Sequence, residues 1–309
     1  HMSCHFSVHR LEAHRMPRVS PKLIREAFSQ NPLLPPLLKA THNLDQATAE
    51  LRWIQKELPH SRWKNAVLRR SRHEPLQYIL GTQPFGPLEI LCKKNVLIPR
   101  WETEEWATEL ARAINHSANS NISILDACTG SGCIPLLLKY LVPNARVRAF
   151  DFSEHAVQLS LRNKEQAGLD IDIWRADLFN LRATDKLMPV DLITANPPYV
   201  PAEDYEKPVA LNGPEKSVKL YEPREALIGH LEFYDALIDN LAKPLESKGI
   251  IFELGYEDQV IHTARRLPSG WKCGRFVDLS NNVRCVVAWE DGSLMSFLRN
   301  VVNGGYLES

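Results

Sequence analysis

Between Val19 and about Leu80 the apolar positions keep a helical rhythm. Leu23, Ile24 and Phe28 follow i, i+1, i+5 spacing, and Leu51, Ile54 and Leu58, beside Trp53, recur every three or four residues with Arg52, Lys56 and Glu57 between them. Pro32, Pro35, Pro36, Pro59 and Pro75 break the run into short pieces, because proline lacks the N–H and clashes with the preceding turn. A small helical domain over residues 19–80 is predicted. Gly81, Pro84, Gly86 and Pro87 then separate short apolar stretches, so residues 81–100 are predicted as a linker with hairpin strands at 88–91 and 96–98. After residue 120 strands alternate with helices. Strands are expected at 122–125, 147–150, 171–174, 192–195, 250–254, 275–277 and 284–289, with helices at 134–141, 153–167, 231–242 and 256–267. That order predicts an α/β domain with a doubly wound, mostly parallel sheet over residues 101–291, and a tail over 292–309. Ligands of such sheets sit beyond the carboxyl ends of the strands.

Hydrophobic residues make up 44% of the 309 and charged residues 24%, the composition of a folded globular chain. The 37 basic and 37 acidic residues cancel, which excludes a general polyanion binder. They are unevenly placed. Residues 1–80 hold 13 basic and 6 acidic side chains (net +7), leaving 24 and 31 (net −7) for the rest. Within the helical domain Arg62, Lys64, Arg69, Arg70 and Arg72 cluster before the linker, an expected docking surface for an acidic protein face. Cys4, Cys92, Cys128, Cys133, Cys273 and Cys285 show no CxxC pairing, so neither zinc nor a disulfide framework is expected, and no metal is assigned. Residues 1–18, with Arg10, Arg15 and Arg18 against Glu12 alone, have the composition of a cloning remnant followed by a mitochondrial leader.

The candidate chemistry falls at the predicted strand ends. Asp126-Ala127-Cys128-Thr129-Gly130-Ser131-Gly132 joins the first strand to its helix, with glycines that let a ligand approach the backbone and helix-start N–H groups facing it. It is no dinucleotide fingerprint, since Pro135 stands where GxGxxG needs glycine, and no lysine follows as in a P-loop. S-adenosylmethionine, which carries no phosphate, remains. Asp151 ends the next strand, where an acid accepts hydrogen bonds from ribose hydroxyls. Asp177 and Leu178 follow the third strand, offering an acceptor and an apolar wall for adenine. Asn196-Pro197-Pro198-Tyr199 ends the fourth. The Asn196 side-chain oxygen and the Pro197 carbonyl are two acceptors suited to a planar NH2 group, Tyr199 can pack on that group, and holding both N–H bonds aligns the nitrogen for methyl transfer.

These residues resemble the HemK/PrmC protein-glutamine N5-methyltransferases, which act on the Gly-Gly-Gln motif of class I peptide-chain release factors. The resemblance runs from about residue 20 to 290 and includes Glu74-Pro75-Leu76-Gln77-Tyr78-Ile79-Leu80-Gly81, Ile98-Pro99-Arg100-Trp101-Glu102-Thr103-Glu104, Tyr221-Glu222-Pro223-Arg224-Glu225-Ala226-Leu227 and Phe252-Glu253-Leu254-Gly255. Two departures stand out: Trp101 replaces a proline, and Cys128 stands where many members have glycine. The resemblance implies a class I S-adenosylmethionine-dependent methyltransferase fold with a seven-stranded sheet. It places the cofactor on Asp126, Cys128 to Gly132, Asp151, Asp177, Leu178 and Asn196, and the substrate amide on Asn196, Pro197, Pro198 and Tyr199. It also implies a release factor as substrate, a helical domain that recognises it, and, with the leader, the mitochondrial form of a eukaryote such as a fungus; a bacterial source would make it cytoplasmic. A monomer is expected, with no stable nucleic acid and no membrane among its partners. Two other readings are open: an amino-methyltransferase of adenine N6 or guanine N2 in DNA or RNA, and an adaptor that kept the fold without activity.

Overall fold

The computed structural model describes residues 19–185, 187–211 and 213–308. The expected leader over residues 1–18 lies outside them. Five helices come first: α1 (Pro21–Gln30), α2 (Leu34–Thr41), α3 (Leu44–Glu57), α4 (His60–Ser71) and α5 (Leu76–Leu80). Their ends follow local chemistry. Ser20 caps α1 by accepting from the Leu23 amide, Asn43 caps α3 by accepting from Gln46, and the prolines stand at helix starts, where a missing N–H costs nothing. Leu34, Leu37, Leu38, Leu51, Ile54 and Val67 meet in a core of their own, each burial stabilising by roughly 1.5–3 kcal/mol.

The hairpin forms, but not from the predicted strands. β1 (Thr82–Phe85) pairs antiparallel with β2 (Leu88–Leu91), so Gly86 and Pro87 are its turn, and residues 96–98 are irregular. Proline 84 on a two-stranded edge removes no needed donor, which is why a segment read as punctuation is a strand. Next comes α6 (Trp101–His116), which the sequence reading did not include, although Trp106, Leu110 and Ile114 recur every four residues and are fully buried. Trp101 occupies the first helical position, where the family's proline is favoured because that N–H is unused.

The remaining elements are β3 (Ser123–Ala127), α7 (Cys133–Leu141), β4 (Arg146–Asp151), α8 (Glu154–Ala167), β5 (Asp172–Arg175), β6 (Leu192–Ala195), α9 (Ala202–Glu206), α10 (Lys216–Tyr221), α11 (Leu231–Ala236), β7 (Gly249–Glu253), α12 (Glu257–Arg266), β8 (Trp271–Val277) and β9 (Val283–Glu290). A π-helical stretch, Leu237–Ala242, continues α11. The seven strands form one sheet in the order β5-β4-β3-β6-β7-β9-β8, the first five parallel and β9 antiparallel to both its neighbours. β6 and β7 are buried along their whole length, as strands covered on both faces must be. One face packs on α6 and α7, the other on α11, its π-helical continuation and α12. Residues after Gly292 fold back: Met295, Leu298 and Val301 pack into the α6–α7 side of the sheet, and Tyr306 bridges to Gly274 at the outer strand. Among the described residues no helix is long and apolar enough to cross a membrane.

The expected basic docking cluster is only partly a surface. Arg69 makes a two-pronged contact with Glu74 at 2.8 and 2.6 Å, and Arg70 donates to Glu50 at 2.7 Å with about a tenth of either side chain exposed in that pair (10% and 11%). Burial pushes the Glu50 carboxyl up and Arg70 pulls it back. These two arginines belong to the interior economy of the helical unit, leaving Arg62, Lys64 and Arg72 exposed. Arg70→Ala strands Glu50 in the core and is expected to lower stability by roughly 3–5 kcal/mol, whereas Arg62→Ala stays within about 0.5 kcal/mol. Urea unfolding of both variants checks this; equal midpoints would mean the buried pair holds nothing.

Candidate active site

The strand order places β4 and β6 on either side of β3, so the chain leaves this point in both directions and opens a crevice at the carboxyl ends. A cavity of about 390 Å³ lies there, within the range of small-molecule sites. The loop after β3 forms its floor. Gly130 and Gly132 have φ of +58° and +82°, a region open to glycine at little cost. A Cβ on Gly130 would meet nothing within 4 Å, whereas one on Gly132 would stand 3.0 Å from the Ser160 Cβ. Gly130 thus leaves room for a ligand, and Gly132 lets α7 close on α8. Cys128 also has a positive φ, +56°. The family's glycine at this position therefore has a conformational reason, and cysteine adopts the same conformation under strain. Burial, then the nearby Asp151 and Asp126, push the Cys128 thiol well up, so it stays protonated and is no nucleophile.

Of the predicted residues, Cys128, Thr129, Gly130, Ser131, Asp151, Asp177, Leu178, Asn196 and Pro198 line this one cavity. Asp151 accepts from the Gly130 amide at 2.9 Å and the Ser153 amide at 2.8 Å, so it shapes the loop while keeping acceptor capacity for a ligand. Asn196 makes no side-chain hydrogen bond to another described residue, and no described N–H donates to the Pro197 carbonyl. Both expected acceptors are uncommitted. Four predicted residues are not in the lining. Asp126 is 0% exposed beneath the loop, accepting from the Thr194 hydroxyl at 2.6 Å. Burial pushes its carboxyl up to about 7 against the pull of Thr194 and Thr129, so it supports the loop from below. Gly132 is turned to Ser160. Pro197 is buried, and the Tyr199 hydroxyl donates to Glu253 at 3.3 Å.

The sequence reading missed the opposite wall. Val96, Ile98 and Arg100 from the irregular segment, Thr103 from α6, Phe152 after β4 and Phe233 from α11 also line the cavity. Phe179 meets Phe233 edge-on at 5.0 Å between centroids. The segment is clamped by Glu222, which accepts two bonds from Arg100, at 2.8 and 3.1 Å, and one from the Ile98 amide at 3.1 Å. Burial works against the Arg100 charge, and Glu222 more than restores it. Among the described residues Arg100 is thus the one cation in a lining that also holds Asp151, Asp177 and Glu225, and it is already committed. A diphosphate would meet carboxylates here. A ligand with a ribose, an adenine and a cationic centre fits.

The fold and this crevice define a class I methyltransferase, and comparison with known proteins agrees. The family described as "Methyltransferase small domain" matches residues 107–219. The N-terminal domain of human METTL16, solved in complex with SAH, shares the fold with a TM-score of 0.51 at 17% identity, covering 91% of this chain and 99% of that one. The mitochondrial MRF1 N(5)-glutamine methyltransferase MTQ1 of Saccharomyces cerevisiae is 38% identical over 89% of this chain and 90% of its own. A probable MRF1 mitochondrial N(5)-glutamine methyltransferase of Schizosaccharomyces pombe is 34% identical over 79% and 87%. A release factor glutamine methyltransferase of Geobacter sulfurreducens is 39% identical over 62% and 64%. The chain belongs to the HemK/PrmC family of protein-glutamine N5-methyltransferases.

The Cys128 conformation has a measurable consequence. Glycine there relieves roughly 1–2 kcal/mol of left-handed strain and gives back about 0.4–1 kcal/mol in unfolded-chain entropy. Cys128→Gly is expected to leave the melting temperature unchanged or slightly higher, and Cys128→Val to lower it, since a β-branched residue resists positive φ. Thermal scans of the two variants decide; a large loss with glycine would show that the thiol's packing outweighs the backbone.

Proposed function

We propose that the protein transfers a methyl group from S-adenosylmethionine to the side-chain amide nitrogen of the glutamine in the Gly-Gly-Gln motif of a mitochondrial class I peptide-chain release factor. The observation that carries this reading is Asn196: an amide with no side-chain partner among the described residues, in the wall of the cavity where the candidate cofactor residues converge. The names of the two fungal relatives, both mitochondrial glutamine methyltransferases, support the substrate and the compartment. A base methyltransferase would need a cationic track for phosphates, and two of the five clustered basic side chains are tied up internally.

S-adenosylmethionine, when bound, supplies an electrophilic methyl group on a sulfonium. The chain's part is to hold and aim. In our reading the backbone of Cys128 to Ser131 faces the methionine part, Asp151 accepts from the ribose hydroxyls, and Asp177 with Leu178 flanks the adenine. Asn196 Oδ1 and the Pro197 carbonyl accept the two N–H bonds of the glutamine amide, fixing the nitrogen and adding electron density to it as its lone pair leaves conjugation. Asp126 and Gly132 act on the loop, not on the ligand. The helical unit of residues 19–80 selects this glutamine among all others through contacts away from the pocket.

Asp151→Ala is expected to weaken S-adenosylmethionine by roughly 1.5–3 kcal/mol, the worth of hydrogen bonds to a charged acceptor, and Asp151→Asn by less, since one acceptor oxygen survives. Isothermal calorimetry giving parental affinity for both would remove the ribose assignment. Asn196→Ala should bind the cofactor normally yet methylate intact release factor about 100-fold more slowly, the usual cost of losing one preorganised polar contact. Mass spectrometry of the Gly-Gly-Gln peptide reads this directly, with a Gln→Ala factor and tRNA as controls. Methylation of tRNA but not of the factor would favour the base-directed reading.

A further inference from the structure

Behind the substrate turn lies a carboxylate that none of the chemistry above uses. Glu253 ends β7, and the register pairing Ala195 with Phe252 sets it level with Asn196 on the neighbouring strand. It is 2% exposed. Its Oε2 accepts from the Thr103 hydroxyl and the Trp106 indole, both at 2.7 Å, and its Oε1 accepts from the Tyr199 hydroxyl at 3.3 Å. Thr103 and Trp106 belong to α6, and Thr103 itself lines the cavity. Tyr199 closes the Asn196–Tyr199 turn. One carboxylate therefore spans two walls of the site that are nearly a hundred residues apart in sequence. A second buried group holds the same tyrosine at its other end: Gln259 donates to the Tyr199 carbonyl at 2.9 Å and accepts from the Gly255 amide at 3.0 Å.

Stability does not explain this choice. Burial pushes the Glu253 carboxyl up while Trp106 and Thr103 pull it back, and a buried ionisable group replaced by apolar packing often leaves a protein as stable or more so. What a carboxylate does that an apolar side chain cannot is accept on both oxygens at once. All three donors are thereby made to point inward. With Tyr199 fixed at hydroxyl and carbonyl, and Pro197 and Pro198 locked in φ, Asn196 at the other end of the turn has little freedom left.

We propose that Glu253 is a positioning residue for the amide-gripping turn, setting the orientation of Asn196 and Pro197 relative to the α6 wall through Tyr199. This rests on the reading of Asn196 given above. The test uses the full chain with E253Q, Y199F and the double variant, alongside the parent. The expected result is a kcat at least ten-fold lower for E253Q and several-fold lower for Y199F, with KM for intact release factor and calorimetric affinity for S-adenosylhomocysteine each within about two-fold, because only the aim of the amide changes. The double variant should be no slower than E253Q, since both remove one interaction. Hydrogen exchange of the peptide spanning residues 196–200 should rise in both single variants while β3 and α8 keep their protection, and this arm reads the hold on the turn even if the release factor is not the substrate. Parental kcat in E253Q, multiplicative losses in the double variant, or a loss of cofactor affinity and melting temperature in step with kcat would each overturn the proposal. Should E253Q not fold, Y199F alone decides: unchanged kcat and unchanged exchange at 196–200 refute it.

Discussion

A buried guanidinium–carboxylate pair holds the front of this enzyme together. Arg100 leaves the hairpin linker, Glu222 follows α10, and their contacts at 2.8 and 3.1 Å join segments 122 residues apart. Glu222 also accepts from the Ile98 amide, so the same carboxylate that neutralises Arg100 pulls the irregular stretch 96–100 across the mouth of the crevice. Without it the sheet would still form, since its strands pair and bury independently of this wall. The cavity would not, because Val96, Leu97, Ile98 and Pro99 of its apolar lining come from a chain segment with no regular hydrogen-bonding of its own. Such a pair is a costly way to stabilise a fold and an efficient way to specify one arrangement of it.

That clamp joins two of the stretches that match the family, one entering α6 and one after α10. In sequence they are unrelated motifs; in space they are the two jaws of one contact. Tyr78 adds a second anchorage, donating to the Val96 carbonyl at 2.7 Å, and Tyr221 donates to the Arg72 carbonyl at 2.9 Å. The helical unit is thus fastened to the segment that lines the cavity and to the end of α10. Asn163 makes the corresponding tie underneath, accepting from the Leu91 amide and donating to the Ser131 carbonyl, so the hairpin and the glycine loop share one amide.

The floor of the site was legible in the sequence because each part is local: an apolar run, then glycines, an acid or paired prolines at its end, repeated in the order a parallel sheet demands. β6, at Leu192–Ala195, falls where the pattern places it, and Asn196 follows directly. The opposite wall was not legible. Ile98 and Thr103 are held there by Glu222 and Glu253, carboxylates more than a hundred residues away in sequence, and Phe233 meets Phe179 edge-on. The helix carrying Thr103 does have a sequence signal, the four-residue spacing of Trp106, Leu110 and Ile114. Charge misled in the other direction: Arg69 and Arg70 count as a basic patch until their partners Glu74 and Glu50 are seen. Cys128 departs from the family's glycine at a position whose positive φ favours glycine, and nothing in the structure explains the cysteine.

Asp126 lies buried under the glycine loop, Glu222 behind the front wall and Glu253 behind the Asn196–Tyr199 turn. None is placed to touch a methyl donor or an amide first. Amide methylation asks for little acid–base chemistry and much alignment, since the nitrogen is a weak nucleophile whose lone pair must be turned toward the methyl group. A side chain that only accepts, and accepts several donors at once, is suited to that demand. Its position fixes hydroxyls, indoles and backbone amides in one orientation, which apolar packing would leave free to rotate. Burial then raises the cost of every alternative arrangement, because a displaced donor leaves an uncompensated charge in a dry interior. Desolvated acceptors placed one layer behind the reacting groups are therefore the structural form that rigidity takes in this active site.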